Sequence, residues 1–279
     1  PVCSAKVSEM RRQELNDALS AARNQGLIPV LVTLTTRHKR GDSLAALLSS
    51  LKNAKRRWAN HRGFVSIRSK NGGRLVGYIT ATEVTGGGAN GWHPHFHLLM
   101  FFKCSTEAEA IAQAESLRGP WLAALKSEGL SGTGAAFDVQ GGAAAGNYIT
   151  KWGAAEEIAL GGKKKGRGDG RAPFQLLADY ADNDDKQAGA LFAEYAKEFA
   201  GHRQLVWSPG LKALFCIEDI ADAKAAEDEV RRADASKEDA CVGHFTPIEW
   251  SRYRPQRAMI LRMASHGSAI GKGHTCCQA

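Results

Sequence analysis

Nothing in these 279 residues limits the fold as tightly as one short run, Trp92-His93-Pro94-His95-Phe96-His97-Leu98-Leu99-Met100. In an extended strand successive side chains point to opposite faces, so His93, His95 and His97 share one face while Phe96 and Leu98 share the other. The run ends in apolar residues through Phe102, which predicts a strand central in its sheet. Three imidazoles on one face of such a strand are costly unless something compensates, and a bound divalent metal is the usual compensation. The bland alternative is a solvent-facing polar strand with incidental histidines.

The segments around this strand predict an α+β chain. Residues 8–22 have helical composition and end near Gly26. Residues 27–35 are rich in β-branched and apolar types and are closed by the charges of residues 37–40, predicting a first strand. Asp42 or Ser43 can cap the next helix, whose Leu44, Leu47, Leu48 and Leu51 recur at helical spacing. Phe64-Val65-Ser66-Ile67-Arg68 reads as a second strand, with Asn71-Gly72-Gly73 as a hairpin signal. A third strand runs over about 74–84 and the glycines of 86–91 read as a loose loop. The histidine strand follows over 94–102. Residues 106–126 read as a helix broken near Gly119-Pro120, residues 135–140 as a short fifth strand, and a helix starting near Ala143 carries Tyr148 and Lys151. The expected architecture is a central antiparallel sheet of about five strands, ferredoxin-like or related, flanked by helices. A helical C-terminal extension includes segments at 173–180 and 185–200 and a charged, Ala-rich stretch over 218–239, and the tail from Ser265 is expected to be disordered. The division this implies is an N-terminal helix (1–26), a main domain (27–160), a basic loop with accessory helices (161–215) and a charged helical tail (216–279).

Charge points to a polyanionic partner. The formal net charge is +8, and its distribution carries more weight than its size. Basic residues cluster as Arg37, His38, Lys39 and Arg40 with Lys55-Arg56-Arg57, and again as Lys163-Lys164-Lys165-Gly166-Arg167; each run taken singly could equally be a solvated surface. No apolar run reaches the ~20 residues of a spanning helix, and the sequence predicts a soluble, cytoplasmic protein with no membrane partner. Six cysteines lack the spacing of a disulfide framework.

Two more features gain weight beside the histidines. Glu83 lies near the end of the strand before the glycines, so antiparallel pairing would bring its carboxylate towards His95 and His97. Imidazole and carboxylate together with open positions suit Mg²⁺ or Mn²⁺, and also accept Zn²⁺. His93 is a further candidate ligand. Tyr148 and Lys151 lie on adjacent turns of one helix face. A phenol becomes a nucleophile near neutral pH only if a cation or metal stabilises its phenolate, and Lys151 could also hold a phosphate.

With these residues in place, the sequence resembles the HUH endonuclease superfamily, whose two histidines around a hydrophobic residue correspond to His95-Phe96-His97. Within it the resemblance is to single-tyrosine initiators of rolling-circle plasmid replication. It rests on Val32-Thr33-Leu34-Thr35, His93 to Leu99, Tyr148-Ile149-Thr150-Lys151 and the downstream run from Gly201 to Lys212. The resemblance implies a bacterial cytoplasmic enzyme that nicks one DNA strand through Tyr148 and is left covalently joined to its 5′ end. It implies a divalent ion on His95, His97 and Glu83, and a single-stranded or extruded origin that Arg37, Lys39, Arg40, Lys163, Lys164, Lys165 and Arg167 would track. No Gly-x-x-x-x-Gly-Lys-Ser/Thr loop occurs, so unwinding and synthesis are expected from a host helicase and polymerase. Two departures stand out. Some relatives place a glutamate four residues before the tyrosine, where this chain has Ala144; Asp138, Glu156 or Glu157 would have to replace it. Relatives also often carry a Cys-Pro-x-Cys element before the first helix, so Cys3 is expected to be one ligand of a structural zinc site whose other members are missing. A transposase or mobilisation relaxase would use the same chemistry. A non-catalytic DNA-binding protein would not require the histidines and the Tyr/Lys pair together.

Overall fold

The histidine segment is the middle strand of a five-stranded, wholly antiparallel sheet. The computed structural model describes residues 2–68, 73–88, 90–150, 170–203 and 205–218, the side chains of residues 2–9, 87 and 148–150 excepted. In chain order the elements are α1 (Val2–Asn24), β1 (Ile28–Leu34), α2 (Leu44–Ala59), α3 (Arg62–Ile67), β2 (Leu75–Gly88), β3 (Gly91–Phe102), α4 (Glu107–Glu115), α5 (Arg118–Ser127), β4 (Phe137–Gln140), α6 (Gly142–Thr150), α7 (Pro173–Asn183), α8 (Lys186–Phe199), β5 (Leu205–Trp207) and α9 (Leu211–Leu214). The sheet order is β4-β1-β3-β2-β5. Its first four strands are connected as β-α-β-β-α-β, the split arrangement of ferredoxin-like folds. The predicted α+β class and strand number therefore hold.

One predicted strand is a helix instead. Residues 64–68 are apolar and β-branched enough to read as extended, yet His61 caps α3 by accepting from Gly63 N–H at 3.1 Å, and Phe64 is fully buried. Phe64 meets Trp58 edge to face at 4.6 Å between ring centres, a packing that local propensity does not encode. The fifth strand comes instead from β5, three residues that pair with Ile79, Thr80 and Ala81 of β2.

The predicted glycine loop is also absent as such, because β2 runs on to Gly88 and β3 begins at Gly91. Gly86 lies against the Trp92 ring, which a Cβ would strike; here glycine admits a cross-strand aromatic rather than breaking the strand. Gly91 has φ +78°, and a Cβ would lie 3.2 Å from both the Lys39 carbonyl oxygen and the Arg40 Cα. Glycine is thus required twice over, by backbone conformation and by close approach. The break between α4 and α5 falls at Ser116-Leu117 rather than Gly119-Pro120, since Pro120 sits in the first turn of α5, where its missing N–H is harmless.

The sheet carries helices on both faces. On one, α2, α3, α4 and α5 close over Val30, Val32, Leu34, Phe96, Leu98, Met100 and Phe102. Trp58 and Trp121 are both fully buried there with their indole N–H groups satisfied, Trp58 donating to the Leu117 carbonyl at 3.1 Å and Trp121 to the Ala136 carbonyl at 2.9 Å. On the other face, residues of α1, α6 and α9 pack on Leu31, Ile79, Ala81, Leu99 and Phe101. Helices α7 and α8 lie against α2 and the hairpin tip. Glu194 of α8 fastens them, accepting from the Trp92 indole at 3.0 Å and from Leu44 N–H at 3.2 Å. Arg171 joins Asp179 and Asp185 at 2.8 and 2.9 Å. Among the described residues no helix is long and apolar enough to cross a membrane. The basic run of residues 163–167, the charged stretch over 219–239 and the tail lie outside the described residues, as does the side chain of Cys3 in α1.

Candidate metal centre

The register of the β2–β3 hairpin decides which side chains meet. Glu83 pairs with His95 and Ala81 with His97, so the carboxylate stands beside both imidazoles on one face of the sheet. Glu83 Oε2 lies 3.5 Å from His95 Nε2 and 3.5 Å from His97 Nε2. One ligand atom from each of the three residues falls within 4.8 Å of the others.

The second nitrogen of each imidazole is fixed by the protein. His95 Nδ1 is 3.2 Å from the His93 carbonyl oxygen, which can only accept, so Nδ1 carries a proton and it is Nε2 that faces Glu83. His97 Nδ1 is 3.0 Å from Thr33 Oγ1. Thr33 is on β1 directly across from His97, which gives the Val32-Thr33-Leu34-Thr35 segment a physical role: the same two-residue alternation that aligns the histidines aligns these hydroxyls beneath them. Such outer partners set the tautomer and aim of metal-binding imidazoles.

Burial alone would push the Glu83 carboxyl up, but hydrogen bonds and charge from His95 and His97 together outweigh it and hold the group below the usual carboxylate range. Glu83 is therefore anionic at neutral pH. Two Nε2 atoms and one carboxylate oxygen, converging from two adjacent strands, would fit a divalent ion that takes the place of the Nε2 protons, with coordination positions left over for water or substrate.

His93 stands outside this group. Its Nε2 is 3.0 Å from Thr35 Oγ1 and its Nδ1 is 2.9 Å from His38 Nε2. Burial, with His95 and His38 nearby, pushes its pKa down to about 4, so it is neutral at pH 7. His38, which the sequence offered only as part of a basic run, thus adjoins the candidate centre.

The helix bearing Tyr148 packs on the histidine face. Ala145 of α6 is fully buried in the same cluster as Leu31 and Leu99, and Tyr148 follows it by three residues in that helix. The Tyr148 side chain and Lys151 lie outside the described residues, as do Lys163, Lys164, Lys165, Arg167, Glu156 and Glu157. Asp138 pairs with Thr33, which places it in the cross-strand row of His97, and it accepts from the Gln140 side chain. Arg37, Lys39 and Arg40 are exposed in the turn after β1.

Residues 1–126 match the sequence profile of a family described as replication protein. Among curated proteins, a protein rep of Streptomyces lividans is 27% identical over 302 residues, covering 84% of this chain and 66% of its own length. A neomycin resistance protein of Streptomyces cyanogenus is 32% identical over 131 residues, covering 39% of this chain and 30% of that protein. The chain thus spans about two thirds or less of the length of these relatives. No solved structure matches it.

Proposed function

We propose that this chain, which resembles a replication-protein family over residues 1–126, initiates rolling-circle plasmid replication by nicking one strand of its origin and joining the 5′ end to Tyr148. The observation that carries this reading is the convergence of Glu83, His95 and His97 on the sheet face that α6 covers.

When bound by these three residues, Mg²⁺ or Mn²⁺ supplies Lewis-acid polarisation of the scissile phosphate. The protein's own contribution is positional and electrostatic. His95 and His97 turn their Nε2 atoms towards Glu83 while their Nδ1 atoms are engaged by the His93 carbonyl and Thr33, and Glu83 offers a charge that neutral pH does not remove. The Tyr148 phenol attacks phosphorus: a P–O bond to the tyrosine forms, the P–O3′ bond breaks, and the phenolic proton is passed on as the 3′-oxygen leaves as a hydroxyl. One phosphodiester replaces another, so the energy of the bond is kept for rejoining. Lys151, one helical turn on, would stabilise charge on the phosphoryl oxygens. Lys39, Arg40 and the basic run 163–167 would follow the backbone of a single-stranded or extruded origin. The freed 3′-hydroxyl would prime a host polymerase behind a host helicase.

The test is a denaturing gel. With Mn²⁺ and a single-stranded oligonucleotide from the origin, wild type should yield a protein–DNA adduct and Tyr148→Phe none, although both bind the oligonucleotide. An adduct that survives Tyr148→Phe would assign the nucleophile elsewhere. Binding without cleavage by wild type would favour a non-catalytic DNA-binding protein.

A further inference from the structure

The histidine face carries a hydrogen-bonded chain that the metal ligands do not use. It starts at Asn90, in the β2–β3 turn, whose carbonyl oxygen lies 2.9 Å from His38 Nδ1. A carbonyl only accepts, so His38 Nδ1 bears a proton, and in the neutral ring His38 Nε2 accepts. The next contact, 2.9 Å from His93 Nδ1, is therefore His93 donating. That leaves His93 Nε2 to accept from the Thr35 hydroxyl at 3.0 Å. With both rings neutral, one terminal carbonyl thus sets the direction of the whole chain, and both nitrogens of His93 are engaged by protein. The rings reinforce it, His38 meeting His93 edge to face at 4.6 Å.

What this chain joins is informative. His38 belongs to the turn that presents Arg37, Lys39 and Arg40, all exposed. The backbone of that turn also rests on the hairpin tip, the Lys39 carbonyl oxygen and Arg40 Cα standing 3.2 Å from where a Cβ on residue 91 would lie. Beside it opens a cleft of about 490 Å³ lined by Arg37, His38, Lys39, Ser43, Ser50 and Ser131. Of its two carboxylates, Asp42 accepts from Lys39 N–H at 2.8 Å and Glu128 is paired with Arg57. Asp42 keeps its charge, but the Arg37 and Lys39 side chains are exposed along its wall, two cations beside that one carboxylate.

We infer that His93 and His38 are positioning residues rather than metal ligands. They clamp the basic turn to the ligand strand, and so hold a second phosphate of the bound DNA strand at a fixed distance from the candidate metal centre. This rests on the proposed DNA-nicking function for its ligand, a phosphodiester of the same strand, but not on the identity of the nucleophile. Phosphate contacts set register rather than read sequence, so the clamp fixes which bond lies over the ligands.

The test uses the full chain at pH 8, where removing an imidazole removes no charge. Binding of fluorescein-labelled dT20 is measured across a salt series, and Mn²⁺ binding separately by electron paramagnetic resonance. Arg37→Ala should make the slope of log K against log salt shallower by about one unit, the loss of one phosphate contact. The clamp predicts that His38→Ala and His93→Ala reduce the slope by a similar amount although neither removes a cation. His93→Gln, whose amide can accept from Thr35 and donate to His38, should restore it. Mn²⁺ affinity should stay within about twofold in His93→Ala and fall by about 10–100-fold or more in His95→Ala. Loss of Mn²⁺ binding in His93→Ala would make it a ligand and overturn the inference, as would an unchanged slope in both histidine variants. If His93→Ala does not fold, His38→Ala on the exposed turn decides. A wild type that gives these binding results yet forms no adduct would overturn the nicking function and leave the clamp standing.

Discussion

Strand β3 divides the molecule. Phe96, Leu98, Met100 and Phe102 point into a layer of four helices, where Trp58, Trp121 and Phe137 are fully buried. On the opposite face Leu99 and Phe101 continue an apolar layer under α1 and α9, but two residues further back the same side turns to His97, His95 and His93. The difference teaches where each kind of free energy resides. The helical layer holds the fold by excluding water, while the histidine end keeps polar atoms part-exposed and hydrogen-bonded so that their lone pairs converge.

The comparison can be broken most easily from the buried side. Trp121→Ala should cost about 3–5 kcal/mol in urea denaturation, with Mn²⁺ affinity of the protein that remains folded nearly unchanged. Next in size is the ligand set: at about 100 times its Kd, Mn²⁺ should stabilise wild type by about 2.7 kcal/mol, and calorimetry of Glu83→Gln should show that gain removed. A Glu83→Gln protein as unstable as Trp121→Ala would mean that the two faces are not separable. Thr33→Val, which deletes the hydroxyl beside His97 Nδ1, should weaken Mn²⁺ binding by about tenfold in titration without moving the melting temperature appreciably.

The smallest effect sharpens the contrast from the helical side. Lys55 of α2 reaches over the Phe96 ring with its Nζ 5.1 Å from the centroid, and burial pushes its pKa down to about 8. The folded chain then releases that proton near pH 8 while the unfolded chain keeps it until about 10.4. Between those values the unfolded state binds more protons, so stability rises with pH and then levels off. Lys55→Met should flatten this rise, read from denaturation midpoints at pH 7 and pH 10.

How much of this was legible in the sequence follows from the range of each interaction. The shared face of His93, His95 and His97 was readable because strand alternation is a local rule, and the approach of Glu83 because a hairpin is nearly so. Ser43 as the cap of α2 and the Leu44-Leu47-Leu48-Leu51 stripe were readable for the same reason. Phe64 misled because its helix is secured by Trp58 and by the His61 cap. Gly86 misled because a strand glycine that admits Trp92 looks in sequence like a loop. β5 is three residues long and carries no periodicity. The His38–His93 contact joins residues 55 apart, and only the docking of the turn on the hairpin tip reveals that His93 has no nitrogen to spare.

The lateness of β5 has a consequence for synthesis. Ile79, Thr80 and Ala81 wait for partners that lie roughly 120 residues further along the chain; at about 5–20 residues per second the ribosome needs on the order of 10 s to deliver them. Throughout that interval the strand that bears Glu83 has a bare rim of backbone donors and acceptors, the kind of template to which stray segments add. The nascent protein is therefore open to mispairing beside the candidate metal ligands until β5, the last strand among the described residues, emerges and covers part of that rim.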